Sequence, residues 1–122
     1  MSQDLAGLKA VVLQALEDLK AVDVTELDVS KLTTMTSVMV VASGTSNRHV
    51  RALAQAARDA AKAAGYPVLG MEGEGDAEWV LVDLVDLVLH VMLPQTRALY
   101  RLEDLWSTVP RRAQAEQAGD RA

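Results

Sequence analysis

The sequence predicts a single α/β domain in which packed helices cover a mixed β-sheet. Its 122 residues are enough for one hydrophobic core and too few for two ordinary domains. Half of the residues are apolar, so such a core can be filled, and the lack of Phe makes it mainly aliphatic. Segments with helical and strand periodicity follow one another in the order α-β-β-α-β-β-β-α, which indicates one mixed sheet.

The chain begins with a segment that has the apolar spacing of an amphipathic helix. Asp4 falls in its predicted first turn and Lys20 in its last, where their charges favour the helix dipole. Residues 23–29 alternate loosely and predict a short strand, and the polar residues 30–34 predict a loop. The helical stripe recurs at spacings of three and four and consists of Leu5, Leu8, Val12, Leu16 and Leu19.

A buried strand followed by a helix is predicted in the middle of the chain. Residues 38–42 form a continuous apolar, mainly β-branched run, which is typical of a strand covered on both faces. Ser46 suits the N-cap of a helix over residues 47–64, and Gly65 suits its C-terminal cap. We expect a strand at residues 67–70 to form a parallel pair with the strand before this helix through a right-handed crossover.

Two apolar runs, residues 79–84 and 87–93, predict an antiparallel hairpin with a two-residue turn at Val85-Asp86. One Trp in a small domain usually packs inside, so Trp79 has both a core and a contact interpretation. One hairpin face is wholly aliphatic and belongs to the core, pairing Leu84 with Leu87, Val82 with Leu89 and Val80 with Val91. The other face carries a carboxylate and an imidazole, which indicates partial cover, and pairs Asp83 with Val88, Leu81 with His90 and Trp79 with Met92.

A last helix is predicted after the hairpin, because Pro94 suits a first helical position. Residues after 107 lack periodicity, so we predict a folded domain over residues 1–107 and a flexible tail over residues 108–122. The packed face of the helix is predicted to contain Leu99, Leu102 and Leu105.

Composition excludes several classes of function. A net charge of −5 argues against sequence-specific nucleic-acid binding, because phosphate contacts need a basic face. The absence of Cys excludes disulfides, thiolate metal sites and a Cys nucleophile. The N-terminus lacks a signal-peptide pattern, and no apolar run reaches the ~18 residues of a membrane span. These observations predict a cytoplasmic protein without a membrane partner.

The stretch over residues 71–86 is acidic and contains no basic residue. Carboxylates around a Trp and aliphatic side chains are typical of a protein interface and would steer a basic partner. A solvated acidic loop without a partner has the same composition. Gly73 and Gly75 are expected to separate the acids flexibly, and no calcium-loop spacing is present, so no metal or cofactor is predicted. The acids are Glu72, Glu74, Asp76, Glu78, Asp83 and Asp86.

The turn over residues 44–49 combines a glycine with a helix start, an arrangement that can hold a phosphate. It lacks the P-loop and dinucleotide patterns, and most such turns are only well-capped helix starts. His49 and His90 lie on different elements, and neither has the partner pattern of a catalytic or metal site. No catalytic residue is therefore predicted.

Three blocks of the sequence occur in the order and spacing of a known family. The first is Leu27-Asp28-Val29 with residues 36–41, Ser43-Gly44-Thr45-Ser46 and Arg48-His49-Val50. The second is residues 70–73, Trp79-Val80-Leu81-Val82-Asp83, Asp86 and His90-Val91. The third is Pro94, Arg97, Leu99-Tyr100, Leu102-Glu103 and Leu105-Trp106. Over about residues 5–107, the chain resembles the Iojap-like ribosomal silencing factors.

This resemblance implies a nucleotidyltransferase-like fold without known catalysis. It implies a translational repressor that binds the large ribosomal subunit at ribosomal protein fourteen. Such a protein obstructs joining of the small subunit and lowers translation when nutrients are scarce. Together with the hairpin register, the resemblance predicts the contact residues Trp79, Leu81, Asp83, Leu84, Glu74, Asp76, Glu78, Met92 and, more weakly, Tyr100.

Two positions depart from the family pattern. Ser37 stands where the family usually has Asp, so any loop or partner contact of that Asp is lost or replaced. Val85 stands where a Gly usually precedes Asp86, and Val tolerates positive φ poorly. We therefore predict a different turn type or a bulge, and a slip of one residue would move Trp79 to the opposite face.

Two other interpretations stay open from the sequence. One is a nucleotidyltransferase-like, nucleotide-binding enzyme that uses residues 44–49 for phosphates and Asp83 or Asp86 for magnesium. The other is a homodimer in which the open sheet face pairs with itself when no ribosome is available.

Overall fold

The computed structural model describes residues 4–31 and 36–99 and the backbone of residue 100. Within these ranges, eight elements follow one another in the predicted order. The three helices are α1 (Leu5–Asp18), α2 (Asn47–Ala63) and α3 (Pro94–Tyr100). The five strands are β1 (Val22–Asp28), β2 (Val38–Ser43), β3 (Gly70–Glu72), β4 (Trp79–Asp83) and β5 (Leu87–Met92).

The strands form one mixed sheet in the order β1-β2-β5-β4-β3. β2 and β5 are parallel, and the other neighbours are antiparallel. α1 and α2 pack on the same face of this sheet and enclose the main core with it. The prediction of one α/β domain with a mixed sheet is confirmed, while the likeness to nucleotidyltransferases stays a prediction. In the part of the chain described, no helix is long and apolar enough to cross a membrane.

The predicted direct pairing of the two strands that flank α2 is wrong, although these strands run parallel to each other in the sheet. The strand after α2 is β3, which begins at Gly70 rather than residue 67 and pairs only with β4 among the described strands. β5 and β4 lie between β2 and β3. The reason is burial: every residue of β2 and all but Val88 of β5 are buried, so these two apolar strands take the centre of the sheet.

The ends of α1 and α2 follow from their capping residues. The Asp4 side chain accepts a hydrogen bond from the Gly7 backbone N–H at the start of α1. α1 ends at Asp18, so Lys20, with φ +62°, lies beyond the last turn where it was predicted. Ser46 caps α2 as predicted, and Gly65, with φ +93°, follows its end. The last turn is closed by the two hydrogen bonds of a Schellman motif, Gly65 N–H to Lys62 O and Tyr66 N–H to Ala61 O.

The hairpin has the predicted register, with Trp79 opposite Met92 and Asp83 opposite Val88. Val85 nevertheless adopts φ +76°, so the expectation that it avoids positive φ is wrong, and the register does not slip. Asp86 N–H donates to Leu84 O at 3.0 Å, the bond of a γ-turn of the rarer, strained kind. Asp83 Oδ1 accepts from Val85 N–H at 3.0 Å and helps to hold this conformation.

Replacing Val85 with glycine is expected to stabilise the protein by about 1 kcal/mol. A positive φ costs an L-residue about 1–2 kcal/mol, and Val85→Gly removes this strain. Glycine loses more conformational entropy on folding, but this cost offsets only part of the gain. Urea unfolding should show a higher midpoint at unchanged slope. Val85→Ala, which keeps a Cβ, should gain less, and an equal or lower midpoint for the glycine variant would contradict a strained turn.

α3 begins at Pro94 as predicted. Leu99 was predicted to pack, but 74% of it is exposed, so this prediction is wrong. Among the side chains of α3 that the structure describes, the buried one is that of Arg97, which reaches β1 and the end of β2. Leu102, Leu105, the boundary after residue 107 and the tail over residues 108–122 lie outside the described residues.

Candidate functional site

The sheet face opposite α1 and α2 carries the candidate site. Along β4, Trp79, Leu81 and Asp83 point to this face and are half-buried, while Val80 and Val82 point into the main core. We call these three half-buried residues the β4 face. Trp79 packs on a second, smaller cluster, which contains Val29, Met39, Val41 and Met92, with Leu27 beside it. The hairpin is thus aliphatic and buried on one face and partly open on the other, as predicted.

Trp79 borders a shallow depression of about 240 Å³ that is lined by Glu72, Gly73, Trp79 and Leu81. Its indole and the Leu81 side chain supply apolar surface, and Glu72 supplies a carboxylate. The depression therefore combines an apolar floor with negative charge at its side. Such a surface is better suited to a side chain from a basic partner than to one from a neutral partner.

The indole of Trp79 is held by His90 on the neighbouring strand. Its Nε1–H donates to His90 Nδ1 at 2.9 Å, and the ring centroids are 5.9 Å apart with planes tilted by 47°. An indole nitrogen only donates, so Nδ1 accepts and the neutral ring carries its proton on Nε2. The imidazole was expected to mark an open part of the face, but only 6% of His90 is exposed, so that interpretation is wrong for this residue.

Burial lowers the pKa of His90 to about 4. Because the unfolded chain protonates near the ordinary value of 6.5 and the folded chain only near 4, unfolding takes up a proton between these values. The stability that depends on a neutral His90 is fully present above pH 6.5 and is lost as the pH falls towards 4. We expect the free energy of unfolding to fall by up to about 3 kcal/mol across this window.

Urea unfolding at a series of pH values measures this loss as the difference between wild type and His90→Asn. Carboxylates that titrate in the same pH range are present in both proteins, so their effect on the free energy of unfolding cancels in the difference. Parallel curves for the two proteins from pH 4 to 7 would show that His90 is protonated equally in both states.

The acidic loop, residues 73–78, is closed and ordered by its backbone. Ala77 N–H donates to Gly73 O at 2.9 Å, and Gly73 has φ +92°. A Cβ at Gly73 would lie 2.2 Å from the Trp79 carbonyl oxygen, so only glycine allows the loop to lie this close to β4.

Two side chains of α2 hold the acidic loop from the helix side. Arg51 donates from Nε to Glu74 O at 2.9 Å and from Nη2 to Gly75 O at 3.0 Å, and Asn47 Nδ2 donates to Asp76 O at 2.9 Å. The expectation of a flexible glycine-separated stretch is therefore wrong. Sequence reasoning missed Asn47 and Arg51, although their i, i+4 spacing places both on one face of α2.

The structure divides the predicted contact residues into three groups. Trp79, Leu81, Asp83 and Glu74 are half-buried, and Asp76 and Glu78 are exposed, so these side chains are available to a partner. Leu84 and Met92 are fully buried, and their prediction as contact residues is corrected: Leu84 belongs to the main core, and Met92 belongs to the second cluster, on which Trp79 packs. Tyr100 is the last residue of α3, and its side chain lies outside the described part.

In the turn over residues 44–49, the first two backbone N–H groups are bonded within the chain. Gly44 N–H donates to Met92 O at 3.0 Å, and Thr45 N–H donates to His49 Nδ1 at 2.9 Å. His49 Nε2, 2.7 Å from Leu19 O, therefore carries the proton and joins α2 to the end of α1.

The parts of the alternative nucleotide site are also far apart. Gly44 follows the end of β2, whereas Asp83 and Asp86 flank the start of β5, which pairs with the start of β2. The five residue steps from Val38 to Ser43 along β2 separate the two ends by about 17 Å. In the described part of the chain, no three His, Asp or Glu side chains come close enough to hold a metal ion.

Comparisons with known proteins agree with this architecture. A model of the family described as ribosomal silencing factor during starvation matches residues 2–122. A ribosomal silencing factor from Chromobacterium violaceum is 47% identical over 103 residues, 84% of each chain. A crystal structure of a protein from that organism has 44% identity and a TM-score of 0.84, covering 88% of this chain and 90% of its own.

A mouse relative named mitochondrial assembly of ribosomal large subunit protein 1 is 37% identical over 75 residues, 59% of this chain and 33% of its own length. The family match extends over nearly all of the chain, and the first relative covers most of both sequences. This chain belongs to the family of ribosomal silencing factors.

Proposed function

We propose that this protein is a cytoplasmic translational repressor that binds the large ribosomal subunit and blocks its association with the small subunit. The contact on the ribosome is ribosomal protein fourteen, and repression operates when nutrients are limited. The observation that carries the proposal is the β4 face, where an indole and a Leu side chain are left half-exposed beside the Glu72 carboxylate.

The geometry suits steric blocking because obstruction needs a fitting surface and no chemistry. Trp79 and Leu81 form an apolar anchor, Glu72 lines the depression beside it, and Asp76 and Glu78 are exposed on the acidic loop that leads into β4. A basic ribosomal protein would be attracted by this charge and held by the apolar contact. Because the acidic loop is already fixed by α2, little loop ordering opposes binding.

The family description supports silencing of ribosomes during starvation, and the name of the mouse relative supports the large subunit as the partner. An enzymatic role has weaker support, because the residues of the alternative nucleotide site lie at opposite ends of the sheet. We propose a binding protein rather than an enzyme.

Purified protein should co-sediment with isolated large subunits, and light scattering should show that it prevents their pairing with small subunits. Affinity should fall as salt rises, because carboxylates contribute to the contact. Normal pairing of subunits in the presence of saturating protein would refute steric blocking. Co-sedimentation with small subunits alone would refute the choice of partner.

The homodimer that stayed open as an interpretation of the sequence would use the same half-exposed face and would therefore compete with the ribosome. Light scattering of the protein alone over a concentration series tests this interpretation. A mass that stays that of one chain throughout excludes the homodimer.

A further inference from the structure

His90 has the geometry of a residue that orients Trp79. It lies on β5 opposite Leu81, and Trp79 lies opposite Met92, so the indole crosses diagonally to the imidazole. This diagonal is within reach of an aromatic side chain on neighbouring strands. The 2.9 Å bond from Nε1–H to Nδ1 fixes which edge of the indole faces the sheet.

We propose that His90 is the positioning residue of the partner contact, holding the Trp79 indole in its binding orientation through the Nε1–H to Nδ1 hydrogen bond. This inference rests on the proposed function, because it assigns a role within the same surface. His90 itself is buried and does not touch the partner.

Burial makes His90 suited to this role. With 6% of the residue exposed, water competes little for Nδ1, and the bond is stronger than one at the surface. The same burial keeps the ring neutral near pH 7, so Nδ1 stays an acceptor. A surface imidazole would be partly protonated and would then present a donor to the indole donor.

The bond also defines what the partner must supply. The single N–H of Trp79 is satisfied within the chain, so the partner has to provide apolar or cationic contact to the indole ring and not a hydrogen-bond acceptor. Without His90, the indole would have to be ordered during binding, and its polar edge would need a partner acceptor or water.

Three variants of the full chain separate positioning from general support. His90→Phe keeps a ring and removes the acceptor, and His90→Leu removes it with a smaller side chain if the ring does not fit. His90→Asn retains an acceptor near the place of Nδ1. Labelling with ¹⁵N gives one indole N–H resonance for each Trp, and a Trp106→Phe background identifies that of Trp79.

The wild-type Trp79 resonance should show slow hydrogen exchange and a hydrogen-bonded shift. In His90→Phe or His90→Leu it should move towards that of free indole, and affinity for isolated large subunits should weaken about five- to tenfold. In His90→Asn, both the hydrogen-bonded shift of the Trp79 resonance and the affinity for large subunits should be closer to those of the wild type. In a Trp79→Phe background, loss of the acceptor should have no further effect on affinity, because the variants act through one bond.

A wild-type Trp79 resonance with the shift and fast exchange of an exposed indole would overturn the proposal, and so would unchanged affinity in a folded variant whose resonance has moved. Equal affinity losses for the Asn and Phe variants would also overturn it. If wild-type protein ignored large subunits, the proposed function would fall and take the role in binding with it. The resonance would still report the bond itself, so the two failures are distinguishable.

Discussion

Replacement of Trp79 by alanine is expected to weaken binding to large ribosomal subunits by at least about 2 kcal/mol, or roughly thirtyfold. The side chain borders the depression on the β4 face and is partly exposed while its lower part packs on the second cluster. A rigid, half-exposed indole can bury a large apolar area on binding without losing much side-chain freedom. Sedimentation of labelled protein with purified large subunits measures the change in affinity.

The control is Val24→Ala. Val24 is 40% exposed and apolar, but it lies on β1 at the opposite edge of the sheet from β3. Its loss should leave affinity for the large subunit unchanged. Circular dichroism of both variants checks that each is folded, because Trp79→Ala also opens space above Met92 and Val41. Equal affinities for the wild type and a folded Trp79→Ala protein would rule out the β4 face as the contact.

The central hairpin could be predicted from the sequence because its signal is local. A period of two fixes which side chains share a face, and the short connection fixes the register. The division between core and open face on β4 followed directly, including the position of Trp79. The cap at Ser46 was predictable for the same reason, since its partner is only three residues away.

The parts of the site that escaped prediction depend on contacts between distant segments. Asn47 and Arg51 meet the acidic loop 23 to 29 positions further along the chain. The pairing of His90 with Trp79 required knowledge of where an imidazole lies relative to a diagonal neighbour. No local pattern distinguishes a His that orients a Trp from one that faces water.

The backbone conformation of Val85 and the position of β3 in the sheet could not be predicted for related reasons. Val85 keeps the positive φ that suits glycine, because the hydrogen bond that its N–H donates to Asp83 and the bonds across the turn outweigh its intrinsic preference. β3 is too short and too exposed for its apolar pattern to specify a neighbour. β3 lies at the edge because the more apolar β5 occupies the position next to β2.

Arg97 should contribute more to stability than any charged residue on the surface. It is 9% exposed, and its guanidinium donates to Asp23 O, to Ser43 Oγ at 3.0 Å and to Thr25 Oγ1 at 2.9 Å. One side chain of α3 thus joins the helix to β1 and to the end of β2. The planar fork of Arg is suited to several acceptors at once, which a Lys ammonium cannot reproduce in the same geometry.

Arg97→Met is expected to lower the free energy of unfolding by about 3 kcal/mol, because it leaves the buried Ser43 Oγ and two part-buried hydrogen bonds to β1 without their charged donor. The melting temperature should fall by about 10 °C, and urea unfolding measures the free energy directly. Arg97→Lys, which keeps the charge, should recover only part of the loss.

Arg58→Met is the matched control for this change. Arg58 lies on α2, and its ion pair with Asp59 at 3.0 Å is solvent-exposed, so its removal should cost less than about 0.5 kcal/mol. The difference between the two Met variants therefore measures the effect of burial and of the three acceptors rather than that of losing a positive charge. Equal stabilities for the two variants would mean that α3 is held to the sheet by other contacts, and that the buried guanidinium only fills space between α3 and β1.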